Sequence, residues 1–507
     1  FILNTKGHRD LIALAMDWRL KPGTVIDFEF EQSQREQIGI NGYSLLGGRL
    51  PAPVDPRINL TRQPWSQPGV FNALTGSARI RQELDAGWLW TTQYGGQRLK
   101  TNDRLTYGFG PNTSNLPNGL SYNANGDYDL YDYRSENERR LVDVLQTELS
   151  GKIQLASTTH ELTLGLQRQR QLDRLSPMQA YNLVATANVA GGVFGSENSS
   201  LTYTNTNRSD YNTDLSIKDK FEISEKTNLW LGLRHMEYNR SSVQNEPVGT
   251  NPVQYIGHMN LPFIGISTAL NEITLYGSHG HGIEQFVVPN SPFFNSSGAQ
   301  LGIGRSRQSE LGVRSNANRS AFQWQASLFQ IERPLAYDIY DAGTYLSTRY
   351  LDGKQTNQGL ELGASWTERQ WKLGSSAQWL HAKISDVEKN ASTVGNTPLN
   401  VPKFVLRGLA EYRSTSIPGL RTGLRVSHES ERRVTEDASV MLPAWTIFSA
   451  AAHYDTKTAH AASTWTLAIE NLEDKRYWRE SPKQFGHYYL YPGAPRTVRA
   501  TAQFRFN

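Results

Sequence analysis

The sequence predicts an all-β fold, namely a transmembrane antiparallel β-barrel of the 22-strand type, with about 19 strands in this chain. Three observations predict it. Segments in which apolar and polar residues alternate recur along the whole chain. Short turns and long polar loops follow one another between these segments. Finally, no apolar run approaches the roughly 18 residues that a membrane-spanning helix needs, which excludes a helical membrane protein.

The last strand shows the alternation most clearly. Between residues 496 and 506, Val498, Ala500 and Phe504 fall on one face, and Arg499 and Gln503 fall on the other. Side chains alternate across a strand, so this strand has one apolar face and one polar face. A soluble sandwich would show the same alternation, and only its recurrence with two kinds of connection indicates a barrel.

The remaining strands repeat this pattern in pairs, and a short turn such as Lys21-Pro22-Gly23 joins the two members of each pair. In chain order the predicted strands are residues 9–20, 24–37, 76–84, 88–99, 128–155, 161–173, 203–223, 228–240, 261–270, 273–279, 306–314, 321–331, 345–366, 371–384, 403–412, 420–426, 444–454, 464–470 and 496–506.

Long loops rich in Asn, Gly, Ser and Tyr separate one pair from the next. Short turns on one side and long loops on the other side are typical of an outer-membrane barrel. A β-propeller would show repeats of nearly constant length, and these loops vary too much for that.

The predicted strand count is odd, so the first and last strands run in the same direction. Such a set cannot close as an antiparallel barrel, and an open edge in lipid would leave backbone groups unpaired. We therefore expect three further strands upstream, and Phe1-Ile2-Leu3-Asn4 does not resemble a native start. Residues 1–507 are predicted to form one barrel domain that is incomplete at its N-terminus. A barrel of about 22 strands is wide enough to need a plug, which this chain does not contain.

Composition restricts the function classes further. Only 38% of the residues are hydrophobic, yet there are 23 Tyr and 12 Trp, which suits a barrel with a wet interior better than several dry cores. The chain has no cysteine, which excludes disulfides, thiol catalysis and cysteine-bound metals. The net charge of +4 is small for 507 residues and argues against nucleic-acid binding.

Several short motifs, in order, resemble those of TonB-dependent outer-membrane receptors. Residues 469–477, Ile-Glu-Asn-Leu-Glu-Asp-Lys-Arg-Tyr, resemble the element NL-x-D-K-x-Y near the end of that family. Residues 493–498, Gly-Ala-Pro-Arg-Thr-Val, resemble the G-x-P-R that opens its last strand. Further matches lie at residues 275–278, 282–284, 310–313, 358–361 and 401–403, and their order and spacing resemble the siderophore-receptor branch.

The resemblance implies a 22-strand barrel in the outer membrane of a Gram-negative bacterium. It also implies import of a ferric siderophore, energised by the TonB complex through a plug and a TonB-contacting segment that this chain lacks. Iron would arrive within its ligand, so no resident cofactor and no protein metal site are expected. The partners implied are the siderophore, TonB and outer-membrane lipid, and the receptor is expected to be a monomer. Members usually end in an aromatic residue, whereas here Asn507 follows Phe506.

Aromatic and arginine residues of the long loops are the candidates for ligand contact. Flat amphipathic rings and guanidinium groups can receive a bulky, often anionic chelate by stacking and charge-assisted hydrogen bonds. The alternative is that any one of these aromatics belongs to an interfacial girdle or packs a loop. The candidates are Trp65, Tyr107, Phe109, Tyr122, Arg134, Phe286, Phe293, Phe294, Arg305, Arg333, Tyr337, Tyr340, Tyr345, Trp478 and Tyr488.

Other functions find less support in the sequence. His279 and His281 would share one face of a strand, but two ligands alone do not make a metal site. No P-loop, dinucleotide fingerprint or nucleophile elbow is present, and no catalytic residue is predicted. Two alternatives stay open: a TonB-dependent receptor for haem, a cobalamin or a glycan, and a secreted all-β protein that binds or hydrolyses glycans.

Overall fold

The computed structural model describes the chain except for residues 1–5, 41, 112–119, 157, 192, 317–320, 342, 345, 459–460 and 507. Strands dominate the described residues, and short 3-10 turns occupy Asp85–Gly87 and Ala391–Thr393. No helix in the described part of the chain is long and apolar enough to cross a membrane.

Twenty-seven strands are present in the described residues. They are β1 (Gly7–Lys21), β2 (Thr24–Gln37), β3 (Tyr43–Ser44), β4 (Gly69–Glu83), β5 (Leu89–Phe109), β6 (Asp127–Leu155), β7 (Thr158–Arg174), β8 (Met178–Asn188), β9 (Tyr203–Thr204), β10 (Thr206–Ser224), β11 (Thr227–Gln244), β12 (Thr250–Leu270), β13 (Ile273–Val287), β14 (Gln300–Ser315), β15 (Phe322–Asp341), β16 (Leu346–Glu368), β17 (Trp371–Ser385), β18 (Phe404–Arg413), β19 (Leu420–Glu429), β20 (Arg432–Arg433), β21 (Met441–Leu442), β22 (Trp445–Lys457), β23 (Ala461–Glu470), β24 (Trp478–Glu480), β25 (Lys483–Gln484), β26 (His487–Pro492) and β27 (Thr497–Phe506).

One antiparallel sheet forms the wall of the barrel. It contains 21 strands, of which β8 and β9 extend from β6 while the other nineteen follow one another as neighbours from β1 to β27. Within the described residues β1 pairs with β2 and β27 pairs with β23, and these two end strands are not paired with each other. The predicted all-β barrel with about 19 strands is thus confirmed. That three strands lie upstream stays a prediction.

The two faces of the wall differ as the alternation predicts. Leu149, Leu164, Ile217 and Leu233 lie side by side on four neighbouring strands and point outward, and Leu164 is 41% exposed. The lumen face carries ion pairs instead. There Arg79 Nε lies 2.7 Å from Asp27 Oδ2. An apolar outward face and a polar lumen face are what lipid outside and water inside require.

The predicted short turns that lie wholly within the described residues are confirmed, but several strands are longer than predicted at the opposite end. β12 begins at Thr250 rather than at 261, and β5 ends at Phe109 rather than at 99. As a result, two of the predicted long loops are hairpins of tall strands: residues 245–249 join β11 to β12, and β15 and β16 stay paired up to Asp341↔Leu346. These extensions stand above the apolar band, where both strand faces can be polar and the alternation that marks a strand disappears.

The dry core lies in the loops above the wall rather than in the lumen. Leu45, Leu442 and Leu490, each at most 1% exposed, pack together with Tyr43 and Trp478. They come from three loops that are far apart in sequence and carry the short strands β3, β21, β24 and β26. These loops are therefore folded units that can hold side chains in fixed positions at the mouth of the barrel.

Candidate functional site

Two tall strands position the aromatic residues of the mouth. β5 and β6 stay paired up to Phe109↔Asp129, well beyond the apolar outward residues Trp90 and Tyr94. Above an irregularity at Asp103, β5 pairs Leu105 with Tyr133 and Tyr107 with Tyr131. Opposite residues of paired strands share a face, so these rings lie on one face of the wall.

Six rings on this face form what we call the mouth cluster: Tyr107, Phe109, Tyr131, Tyr133, Tyr181 and Phe293. The ring centroids of Tyr107 and Tyr133 are 5.9 Å apart, and those of Tyr131 and Tyr181 are 5.0 Å apart. Phe293, from the loop between β13 and β14, lies 5.7 Å from both Phe109 and Tyr181. Strands from one part of the wall and a loop from another thus meet in one aromatic surface.

The loop between β23 and β27 packs against the cluster. His487 lies 5.0 Å from Phe109, and the Tyr489 hydroxyl donates a 3.0 Å hydrogen bond to the carbonyl oxygen of Gly108. His487 also lies 5.5 Å from Tyr122, which is fully buried and stacks on Tyr128 at 4.7 Å. These contacts are close, so the cluster has little freedom to rearrange.

Burial keeps the phenols of the cluster neutral. It raises the pKa of Tyr131 to about 12 and raises the pKa of Tyr107, Tyr133 and Tyr181 still further. Beside them, burial followed by the charge of Glu138 raises the pKa of Asp103 to about 6. The phenols of the cluster are therefore neutral, and beside them lies one carboxyl group whose pKa of about 6 is slightly below neutral pH.

The three predicted arginines occupy different places. Arg134 lies on the face of β6 opposite to Tyr133, and its guanidinium is held by Asp132 at 3.0 Å and by Glu197 at 2.7 Å. Arg305 lies on the outward face of β14 beside Ile283, which does not favour contact with a ligand inside the mouth. Arg333 faces the lumen from β15, where Glu284 is 3.4 Å away, and it is the predicted cation best placed for a ligand.

Other predicted aromatics pack the loops. The Trp65 indole N–H donates to the carbonyl oxygen of Gly195, and that of Trp478 donates to the carbonyl oxygen of Pro51. Phe294 is buried under Arg349, and the Tyr488 hydroxyl bonds to Glu436. Their partners are protein groups, which matches the alternative interpretation of loop packing. This group comprises Trp65, Phe294, Trp478 and Tyr488.

The last predicted residues lie on tall strands rather than in loops. Phe286 is on β13 beside Gly304, and Tyr337 and Tyr340 are on β15. Burial raises the pKa of Tyr337, which lies near the loops of residues 386–403 and 430–444. Tyr345 lies outside the described residues. These residues do not join the mouth cluster, which takes Tyr107, Phe109 and Phe293 from the predicted set.

Tyr131, Tyr133 and Tyr181 were not predicted. The alternation of Tyr131-Asp132-Tyr133 could have placed two of these rings opposite Tyr107, because residue 128 was correctly predicted to begin a strand. Tyr181 could not have been found in this way, since no strand was predicted near residues 178–188. The described residues contain no group of three or more His, Asp or Glu side chains arranged to hold a metal ion.

Comparison with known proteins places the chain among receptors. A family model described as TonB dependent receptor-like, beta-barrel, matches residues 22–472. The chain is 28% identical to the ferrichrome receptor FcuA of Yersinia enterocolitica over 58% of this chain and 38% of that protein. It is 25% identical to the metal-pseudopaline receptor CntO of Pseudomonas aeruginosa over 97% of this chain and 67% of that protein. The match thus spans well under half of the length of FcuA.

Solved structures agree on the fold. The ferric preacinetobactin receptor BauA of Acinetobacter baumannii superposes with a TM-score of 0.78 at 18% identity, covering 99% of this chain and 73% of that one. The ferric-catecholate import receptor Fiu of E. coli K12 superposes with a TM-score of 0.77 at 15% identity, covering 100% of this chain and 75% of that one. At such identities the similarity concerns the fold alone.

Proposed function

Because the chain belongs to the family of TonB-dependent receptor β-barrels, we propose that it forms the barrel of a receptor that imports a ferric siderophore with energy supplied through TonB. Its location is the outer membrane, as the family and the outward apolar face of the wall require. The relative FcuA is a ferrichrome receptor, and this is the reason to propose a ferric siderophore as the ligand.

The mouth cluster is the observation that supports this proposal best. A ferric chelate is bulky and presents apolar or aromatic surface around its metal, so it needs wide flat contacts rather than a narrow pocket. Five partly exposed rings from β5, β6, β8 and one loop, packed on the buried Phe109, supply such a surface at the mouth of the barrel. Stacking and edge contacts with rings contribute about 0.5–1.5 kcal/mol per pair beyond burial, so several rings together can hold a ligand.

In this proposal the chain binds and releases its ligand without covalent chemistry. The chelate settles on the mouth cluster, and Arg333 on the lumen side attracts an anionic chelate by a charge-assisted hydrogen bond. Occupancy is then relayed to TonB by parts of the receptor outside this chain. Iron arrives with its own ligands, so no resident metal or cofactor is needed. The receptor works as a monomer in this scheme, surrounded by outer-membrane lipid.

A second candidate ligand is a metal complex of an opine-type metallophore. The supporting observation is the similarity to CntO, a metal-pseudopaline receptor, which extends over 97% of this chain. Haem, cobalamin and glycan receptors find no comparable support. A secreted glycan-binding protein does not fit the outward rows of exposed leucines, since a soluble protein would have to cover them.

Growth of a deletion strain on defined iron chelates tests the proposal. Loss of the full-length gene should abolish growth on one ferric siderophore and leave growth on free ferrous iron unchanged. Supplying nickel, cobalt or zinc as opine-metallophore complexes separates the second candidate. If the deletion leaves the use of every ferric siderophore unchanged and impairs only uptake of another metal complex, the siderophore proposal fails.

Complementation with variants then tests the mouth cluster. Tyr107→Ala with Tyr181→Ala should weaken chelate binding to the purified full-length receptor by about tenfold or more, because two rings are removed from the contact surface. The control is Trp465→Ala, which removes a ring from the outward face of β23. Equal loss of binding in the control would show that the effect comes from the barrel and not from the mouth.

A further inference from the structure

One carboxyl group lies at the lower end of the face that carries the mouth cluster. On β5 and β6 the pair Leu105↔Tyr133 is followed by the pair Asp103↔Ser135, and opposite residues of paired strands share a face. Asp103 therefore lies below the rings, one pair closer to the apolar band. Its side chain is partly exposed, as the Tyr133 ring is.

The cation that acts on Asp103 is engaged elsewhere. This cation is Arg140, whose guanidinium donates hydrogen bonds of 2.6 Å to Glu138 and 3.0 Å to Thr101. Glu138 also accepts a 2.6 Å hydrogen bond from the Ser135 hydroxyl. Within the described part of the chain, the Asp103 side chain has neither an ion-pair partner nor a hydrogen-bond donor. The protein thus leaves this carboxylate without a counterion of its own.

Neutral rings lie beside this carboxylate. Burial, and after it the charge of Asp103, raises the pKa of Tyr107 and of Tyr133, which shows that both phenols lie near Asp103. Aromatic faces attract cations electrostatically, and a carboxylate beside them adds a charge-assisted hydrogen bond. This end of the cluster is therefore complementary to an ammonium group.

The upper end of the cluster is apolar. Leu183 of β8 pairs with Tyr131 and is 54% exposed, and the Phe293 ring packs on Tyr181. A ligand that lies along the cluster therefore meets apolar surface above and a negative charge below.

We propose that the imported chelate carries a protonated amine, which Asp103 receives while an apolar part of the chelate lies against Tyr131 and Leu183. The inference rests on the proposed function and names its class of ligand, a ferric chelate with a pendant ammonium group. A chelate without a cation would cover Asp103, displace its water and leave its charge unpaired, which disfavours such ligands. Arg333 lies on β15, so the two charges contact different groups of one ligand.

Equilibrium binding to the purified full-length receptor at neutral pH tests the inference. Asp103 is mostly ionised there, because its pKa is about 6. The probes are the ferric complexes of a linear trihydroxamate and of a tricatecholate, each with a pendant primary amine and each also in N-acetylated form. For at least one chelate, the amine form should bind about 30-fold more tightly than the acetylated form, as expected of a hydrogen bond between charged groups.

Asp103→Asn should abolish this preference and leave binding of the acetylated form within about twofold of the wild-type value. The matched control is Glu136→Gln. Glu136 pairs with Arg104 at 2.7 Å, and Arg104 follows Asp103 on β5, so this ion pair lies on the opposite face of the same two strands. The control variant should keep the full preference. The melting temperature of Asp103→Asn should be no lower than that of the wild type, which separates lost recognition from misfolding.

Four results overturn the inference. The first is equal binding of the amine and acetylated forms to the wild type, and the second is failure of every probe to bind. The third is a preference that survives in Asp103→Asn, because the ammonium group is then received elsewhere. The fourth is growth through this receptor on a ferric siderophore that carries no amine, which leaves the proposed function intact. By contrast, a deletion that leaves every ferric siderophore usable removes the proposed function itself.

Discussion

The wall within the apolar band and the mouth above it consist of the same antiparallel strands but bury opposite kinds of group. In the wall the large apolar side chains are exposed, as Leu164 and Leu328 are, because lipid surrounds them. In the mouth the apolar groups are buried, and so are ions such as Arg240 and Asp210. The difference shows that the surrounding medium, lipid or water, decides whether an apolar side chain stabilises the fold when it is exposed or when it is buried. The strand conformation is the same in both cases.

Arg240→Met should have the largest effect and tests the mouth side of this comparison. Arg240 is 1% exposed, and its Nε donates a 2.6 Å bond to Asp210, whose other oxygen accepts from Gln300 at 2.9 Å. Removing the guanidinium leaves a buried carboxylate without its cation, which we expect to cost about 3–5 kcal/mol. Hydrogen exchange of residues 288–301 should report this loss.

The double variant Arg240→Met/Asp210→Asn is the control for that experiment. It removes both charges, so most of the lost stability should return. If the single variant is no less stable than the double variant, the pair is not effectively buried, and the contrast between mouth and wall fails at its strongest point.

Leu164→Arg should have the next largest effect and tests the wall. A charged side chain at the middle of the lipid face should cost about 2–4 kcal/mol in unfolding free energy, measured by denaturant titration in lipid vesicles. Thr163→Arg, one residue away on the lumen face, is the matched control and should cost less than about 1 kcal/mol, since water solvates the new charge. Equal costs for the two variants would mean that the two faces do not differ in solvent.

The same contrast explains how much the sequence could predict. Inside the apolar band one face of each strand contacts lipid and must be apolar, as Leu162, Leu164 and Leu166 show by alternating with polar residues. Strands inside the band were therefore predicted with their correct partners. Residues 250–260 were not predicted as strand because both faces of β12 contact water there. Polar residues such as Gln254 and His258 then give no alternation that would identify a strand. In the mouth, Phe109 meets Phe293 across 184 positions of sequence through the folding of a loop, and no local pattern encodes such a contact.

Asp103→Asn should have an intermediate effect and is measured through pH. Burial and Glu138 raise the pKa of Asp103 to about 6, above its ordinary value of 3.8. Between these two values the unfolded chain is ionised while the native carboxyl keeps its proton, so stability falls as pH rises from about 4 to 6 and is level above that range. Asn has no such titration.

The Asn variant should therefore be more stable than the wild type by about 3 kcal/mol at pH 7, and by nothing below pH 4. Melting temperatures of both proteins across this pH range provide the test. Parallel curves for the two proteins would show that Asp103 is as well solvated as a residue of the lumen wall. The mouth would then resemble the wall in its polarity.

Gly249→Ala and Gly23→Ala should have the smallest effects, and they show whether the mouth and the wall unfold together. Gly249 (φ +86°) lies in the turn between β11 and β12, and Gly23 (φ +77°) lies in the turn between β1 and β2. Each substitution forces a side chain into a backbone conformation that costs about 1 kcal/mol. A Cβ at Gly249 would touch nothing within 4 Å, so that cost is backbone strain alone, whereas one at Gly23 would lie 3.2 Å from the Cβ of Glu83.

Both substitutions add backbone strain, so a difference in which residues show faster hydrogen exchange would come from cooperativity. The β1–β2 turn joins two strands that belong to the wall, and Gly23→Ala should lower the global unfolding free energy. The tip of the β11–β12 hairpin, residues 246–249, is exposed above the band, and Gly249→Ala should speed hydrogen exchange only near residues 244–250. A lower global unfolding free energy in both variants would mean that the mouth and the wall unfold as one cooperative unit, despite their different interiors.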